Sequence, residues 1–423
     1  MVSAVKFPQP NQHNVVQNQQ SHTFAIGVVS TLFFLFGFIT CLNDILVPHL
    51  KEVFNLSNTE ASMVQFTFFG AYFLISIPAS KLISKFGYKS SFIVGLALTT
   101  LGCLSFFISA DFMIYTFFLG GLFILASGIV ILQVAANPYL TILGGPEKAS
   151  SRLIFAQGLN SLGTTLAPLL GSRILSDTNP ADGIVKTQEE LIKAAHAVEI
   201  PYLGLAAFAI LIAVALAFYK FPANKPAKST LTSHEESQFK LFDYPSLVMG
   251  VIGIFVYVGA EVSIGSIMVN FISSPEIGNM SHQKAAQLLA YYWGGAMVGR
   301  FIGAYVTTKV KPHKVLFVHA VAAALLVTVT VFATGHLAMY SIIAVGFFNS
   351  IMFPTIFVLC TQSLGKYMEK ASGIICVAIV GGALIPPLQA FVVDHMNIHI
   401  SYVVPLLCYL YIAFFALKVK SKV

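Results

Sequence analysis

Two carboxylates stand in stretches that otherwise read as membrane-spanning: Asp44 in GFITCLNDILVPHL and Glu261 in VYVGAEVSIGSIMVN. An ionisable group at the centre of a spanning helix costs a few kcal/mol, so it marks a pathway or a relay before it marks packing. A carboxylate held away from water can carry a proton, or it can ligate Na+ together with nearby oxygens. Either chemistry ties a cation to whatever crosses the membrane. Asn43 adjoins Asp44 and Pro48 follows one turn later, a pairing that predicts irregular helix beside a site. No Lys or Arg is expected at the depth of these carboxylates. Arg300 is placed near the cytoplasmic end of its run, too far away to pair with either.

Neutral polar groups recur at helical spacing. In LIFAQGLNSLGTTLAPLLG, Gln157, Asn160, Ser161 and Thr164 fall at i, i+3, i+4 and i+7, which puts them on one face. Gln133 and Asn137 in ILQVAANPYL are i and i+4. Such faces cannot turn to lipid, because each unpaired amide there costs several kcal/mol. They bind neighbouring helices or line a cavity. Asn270 and Asn349 add further amides, and amides with carboxylates are the groups that sugar hydroxyls need. Tyr257, Tyr291, Tyr292, Phe348, Phe353 and the single tryptophan, Trp293, offer faces on which a sugar ring can stack. Trp293 lies deep in its run rather than at an interfacial belt. The candidate substrate contacts are Asn43, Gln133, Asn137, Gln157, Asn160, Glu261, Trp293 and Asn349; Asp44 and Glu261 are the candidate coupling residues, with a Na+ site conceivable beside them.

What must position these residues is a membrane bundle. Of 423 residues, 57% are hydrophobic and only 10% charged, with a mean hydropathy of +0.81. Soluble domains carry roughly 25% charged residues. Runs long enough to span the bilayer lie near 22–49, 60–83, 90–110, 112–142, 152–175, 199–220, 244–272, 284–307, 314–333, 337–362, 371–394 and 399–418, twelve in all. Continuous runs specify helices, not barrel strands. Pro138, Pro168, Pro354, Pro386 and Pro387 predict kinks or breaks. The five cysteines sit in apolar runs without CxxC spacing, which indicates neither a disulfide framework nor a zinc site.

With a cytoplasmic N-terminus, 19 of the 24 Lys and Arg fall on the cytoplasmic side; Lys51, Arg173, Lys186, Lys193 and Lys284 fall opposite. This positive-inside bias places both termini in the cytoplasm and explains the basic pI without a nucleic-acid partner. The polar segment 221–243 divides the runs six and six, giving a tail (1–21), a bundle (22–220), a linker (221–243), a second bundle (244–418) and a tail (419–423). EKAS occurs at 147–150 and 369–372, and FGAYFLISIPASKLISKFGYK aligns with WGGAMVGRFIGAYVTTKVKPH. The spacings, 222 and 224 residues, fit one duplication. Two parallel six-helix halves that rock about a midplane site are the architecture of major facilitator transporters. No G-x-x-x-x-G-K-[ST] occurs, so a nucleotide motor is not indicated.

The stretches LNDILVPHL, FGAYFLISIPASKLISKFGYKSSFIVGL, LQVAANPYLTILG and YVGAEVSIGS resemble the fucose–galactose–glucose:cation symporter family of the major facilitator superfamily, across essentially the whole chain. The similarity is greatest to the bacterial glucose/galactose transporters. PA-x-x-L-x-x-K-x-GYK replaces the acidic-and-arginine loop usual between helices 2 and 3, with Ser80 where the pattern has Gly. In the fucose–proton member, an aspartate in the LND stretch and a glutamate in the AANP helix carry coupling and sugar recognition. The resemblance carries the first to Asp44, but the second position here holds Gln133, which cannot titrate. It thereby implies coupling to Na+ or H+, with Na+ favoured and Glu261 able to compensate.

Together these readings predict an all-α membrane protein of two pseudo-symmetric six-helix halves. It would be a monomeric secondary transporter, not an enzyme, importing a glucose/galactose-type hexose by Na+ or H+ symport without a cofactor. Its partners are a sugar, a cation and the lipid bilayer of the cytoplasmic membrane. Fucose or amino-sugar symport, or sugar uniport, are the alternatives within transport. A membrane sugar sensor would need an output domain that the sequence lacks.

Overall fold

The computed structural model describes residues 23–42, 54, 56–112, 114–175, 196, 199–219 and 239–421. The N-terminal tail, Asn43, Asp44 and the linker as far as residue 238 lie outside them. Each long apolar run forms a helix, since only a helix satisfies every backbone group within its own segment in hydrocarbon. We number the twelve spans α1 (Thr23–Leu42), α2 and α3 (together Asn58–Phe112), α4 (Tyr115–Ile142), α5 (Ala149–Leu175), α6 (Glu199–Phe218), α7 (Pro245–Ser273), α8 (His282–Val306), α9 (Pro312–Phe332), α10 (Gly335–Asn349 with Met352–Thr361), α11 (Met368–Val377 with Gly381–His395) and α12 (Val403–Lys418).

Two expected spans, α2 and α3, run on without a loop. Only Gly87, at φ 80° and ψ 172°, breaks the helix between them, a conformation open to glycine but strained for residues with a Cβ. Among the described residues, nine helices are long and apolar enough to cross a membrane by composition. α5 and α8 are not among them, because they carry the polar residues that the interior needs.

The prolines divide by effect. Pro138 sits within an unbroken α4. Pro354 follows a gap at 350–351 that splits α10. Proline has no N–H and crowds the carbonyl four residues back, which here is that of Ser350. α11 tightens to a 3-10 turn at Ala378–Val380 ahead of Pro386 and Pro387.

The halves meet along two seams, α2 against α11 and α5 against α8. Cross-half bonds gather at the end of the bundle that carries residues 85–92, 145–152, 300–309 and 365–372. Tyr88 OH donates to Glu369 Oε1 at 3.0 Å, Ser151 Oγ to the Ala304 carbonyl at 2.6 Å, and Ser372 Oγ to the Val134 carbonyl at 2.8 Å. That end is closed.

Candidate functional site

Glu261, near the middle of α7, is the centre of a polar cluster drawn from four helices. Tyr257, one turn earlier on the same face, shares its hydroxyl between Glu261 Oε1 (2.8 Å) and the Asn349 carbonyl (3.1 Å). Asn349 is wholly buried in α10. Its Nδ2 donates to Tyr292 OH at 2.7 Å, and its Oδ1 accepts from Tyr409 OH at 2.7 Å. Tyr292 OH in turn donates to the Glu261 carbonyl at 3.2 Å. α8 comes close enough for this because a Cβ at Gly346 would collide with the Tyr292 carbonyl; only hydrogen fits there.

Arg300 overturns one expectation. Its Nη2 lies 3.7 Å from Glu261 Oε1, with both side chains largely buried. The expectation took its depth from the sequence position, six residues from the end of α8. Helical side chains lean toward the helix N-terminus, which for α8 is toward the bundle centre, and arginine is long enough to cover the difference. The rest of the guanidinium is fully engaged. Nε donates to the Ser350 carbonyl (3.3 Å), and Nη1 to the Gln157 carbonyl (3.2 Å) and to Ser161 Oγ. Arg300 therefore ties α7, α8 and α10 to α5 of the other half.

The polar stripe of α5 divides. Ser161 turns to Arg300, and Thr164 Oγ1 caps the Ser161 carbonyl at 2.8 Å. Asn160 Nδ2 donates to the Phe33 carbonyl of α1 at 3.0 Å, a helix-packing bond. The Gln157 side chain is half-buried and makes no hydrogen bond to a described residue, so its amide is available.

In α4 the two amides also part company. Gln133 is the one position between Leu125 and Thr141 that is not buried. From Leu125 to Thr141 the helix is walled in by protein at every position but this one. Asn137, one turn on, is wholly buried, its side chain turned to the Cys376 thiol of α11. It lies in the seam. Trp293 remains 38% exposed; its ring meets Tyr292 edge-on (5.0 Å, 76°) and lies over Gly265 of α7. Asn43 and Asp44, the remaining expected site residues, lie outside the described residues.

Sequence reasoning missed Tyr409 and Ser350. Tyr409 is one of two hydroxyls, with Tyr411, in the otherwise apolar VVPLLCYLYIAFFALK, a signal the sequence does carry. The role of Ser350 belongs to its backbone oxygen, which no side-chain pattern reveals.

The comparisons fit this geometry. A family model described as Major Facilitator Superfamily matches residues 28–387. The chain is 47% identical over 415 residues to a glucose/galactose transporter of Brucella abortus, covering 98% of each. It is 34% identical over 409 residues to the L-fucose-proton symporter of Escherichia coli strain K12, covering 94% of this chain and 93% of that one. Its fold matches a crystal structure of a major facilitator transporter, FucP, in the outward conformation, with a TM-score of 0.87, 32% identity, and coverage of 95% and 100%.

Proposed function

We propose, for a chain that belongs to the major facilitator superfamily and within it to the fucose–galactose–glucose:cation symporter family, that the cargo is a glucose/galactose-type hexose moved together with a cation. The observation that carries the reading is the Glu261 cluster. It is a carboxylate at mid-membrane, held by Tyr257 and faced by an arginine that also grips the other half. The relatives' names support the choice of sugar.

Roles follow from what each side chain has left to offer. Gln133 and Gln157 have unspent amides and bind sugar hydroxyls. Trp293 presents an indole edge and face to the ring. Asn349, with both amide heavy atoms engaged, positions Tyr292 and Tyr409 rather than touching sugar. Glu261 Oε1 accepts from Tyr257 and faces Arg300, donors that favour the ionised carboxylate and offer no lone pairs to Na+, so a proton is taken up when these donors withdraw. Together with the proton-symporter relative, this moves our preference from Na+ to H+ at Glu261, with Asp44 as a second coupling carboxylate. Rocking shifts α5 past α8, breaks the Arg300 bonds to Gln157 and Ser161, and so alters the charge facing Glu261. The basic end, with both termini, is cytoplasmic; the closed end is that one, so the state described is outward-facing.

The test is uptake of labelled glucose, galactose, fucose and N-acetylglucosamine into vesicles, with and without Na+, at two pH values. Concentrative glucose or galactose uptake driven by an inward proton gradient is expected. Uptake that needs Na+ and ignores pH would move the ion assignment. Counterflow without accumulation would make the protein a uniporter, and indifference to glucose and galactose would remove the substrate.

A further inference from the structure

The duplicated halves are not packed alike along their two seams. On the α5–α8 side, Phe155 and Phe301 meet edge to face (6.0 Å, 72°), and the Phe301 ring lies over Gly158. The repeat spacings of 224 and 222 residues make Ile77 the counterpart of Phe301 and Val377 the counterpart of Phe155. Smaller side chains thus stand on the α2–α11 side, and there the seam is open. A groove of about 540 Å³ runs between Phe73 and Ile77 of α2, Ile252 and Phe255 of α7, and Ile374 and Val377 of α11.

Its walls are almost wholly apolar, and Phe73, Ile77 and Ile252 are exposed. Walls of this kind face hydrocarbon rather than water. At one mouth the chemistry changes. Lys81 lies one turn beyond Ile77 on the same face of α2, and Lys370 one turn before Ile374 on α11. Ser80 packs against Gly373, so the two antiparallel helices bring these lysines to one level. One turn is about 6 Å along the axis. The Lys370 ammonium rests over the Phe239 ring at 4.7 Å.

We propose that this groove is a binding site for an anionic phospholipid, with an acyl chain between α2, α7 and α11 and the phosphate against Lys81 and Lys370. The lipid fills the seam that the duplication left open, on the side where Phe155 and Phe301 have no equivalents. By the orientation proposed above, it comes from the cytoplasmic leaflet, where anionic headgroups attract basic residues.

The full chain, purified in detergent and depleted of lipid, is titrated with phosphatidylglycerol or phosphatidylcholine, and bound lipid is counted by native mass spectrometry. Each lysine near an anionic surface contributes about fivefold in affinity, so the pair contributes about 25-fold. One phosphatidylglycerol is expected to bind in preference to phosphatidylcholine. Lys81→Gln with Lys370→Gln should lower phosphatidylglycerol affinity about 25-fold and leave phosphatidylcholine unchanged. Ile252→Trp, which fills the groove, should weaken both. Lys309→Gln, near the filled seam, should change neither. Equal binding of the two lipids, wild-type affinity in the double-lysine variant, or an equal loss in Lys309→Gln would overturn the site. The lysines lie toward the surface, so their variant decides the matter even if Ile252→Trp does not fold. Binding is read without transport, so failure here is distinct from failure of the sugar reading.

Discussion

Arg300 Nε donates to the carbonyl of Ser350 at 3.3 Å, the oxygen that Pro354 leaves without a helical partner. The neighbouring freed carbonyl, that of Asn349, accepts from Tyr257 at 3.1 Å. The break in α10 is therefore also a pair of acceptors at mid-membrane, and the side chains that satisfy it are the ones that hold Glu261. Backbone defect and candidate coupling site are one construction.

Removing Arg300 should strand Glu261. Breaking a largely buried ion pair from one side costs about 3–5 kcal/mol; at 3.7 Å the lower figure applies. Arg300→Gln is expected to lower the melting temperature in detergent and to abolish accumulation. Adding Glu261→Gln should recover much of the stability but none of the transport. Purely additive losses in the double variant would show that the two residues do not act as a pair.

Tyr409→Phe deletes one hydroxyl from the cluster and leaves Asn349 Oδ1 buried without its donor, a loss of about 1–2 kcal/mol. Asn349→Ala leaves the Tyr409 hydroxyl without its acceptor, removes the donor to Tyr292 OH and opens a cavity, so it should cost more, with a raised KM for sugar as Tyr292 loses its position. Thermal unfolding and uptake kinetics distinguish the two variants. A larger effect from Tyr409→Phe would contradict the arrangement described.

The Tyr88–Glu369 bond spans the halves at the closed end. A hydrogen bond to a carboxylate contributes about 1.5–3 kcal/mol, so Tyr88→Phe should raise the population open at that end by about tenfold or more. Cys376, buried in the same seam, reports it: in a background with the other four cysteines replaced, its alkylation should accelerate accordingly. Glu369→Gln keeps an acceptor and should have the smaller effect. Unchanged labelling in Tyr88→Phe would exclude the bond from gating.

At the opposite end, Glu60 and Ser57 cap the start of α2 reciprocally. Glu60 Oε2 accepts from the Ser57 N–H and hydroxyl, each at 2.8 Å, while the Glu60 N–H donates to Ser57 Oγ at 3.2 Å. The bond from the Ser57 backbone, then that from its hydroxyl, holds this exposed carboxyl below its usual range. Because the folded value is depressed, the contribution is complete above the unfolded glutamate value and fades as pH falls through the folded one. The melting temperature of the wild type should drop more steeply with acid than that of Glu60→Gln. Parallel slopes would rule the cap out as a pH-dependent element.

Gln133→Glu places a titratable group at the one position of this stretch that is not buried. Uptake should become more steeply pH-dependent while the melting temperature barely moves. A large loss of stability would mean that Gln133 packs rather than lines a cavity.

Much of this was legible in the sequence, and the exceptions have physical reasons. The apolar runs and Glu261 are local patterns: among the described residues the runs form helices, and a polar cluster surrounds Glu261. Arg300 reaches deeper than its position along α8 implies, because its side chain leans toward the helix N-terminus. Asn137 shared a face with Gln133 on the helical wheel, yet the seam with α11 covers one and not the other, which only the packing of a distant segment decides. The continuity of α2 with α3 was hidden because a single glycine turned the chain without a loop.

A helix buried at every position but one also sets terms for divergence. Between Leu125 and Thr141, a change of side-chain size disturbs packing, and large-to-small changes in cores cost about 2–5 kcal/mol. Position 133, the one place in this stretch that is not buried, meets no such wall. Lineages built on this scaffold can therefore explore new cargo or new ions through that single codon while the rest of α4 stays fixed by stability. In a family tree, we expect that column to vary with transport specificity while its neighbours vary only with size.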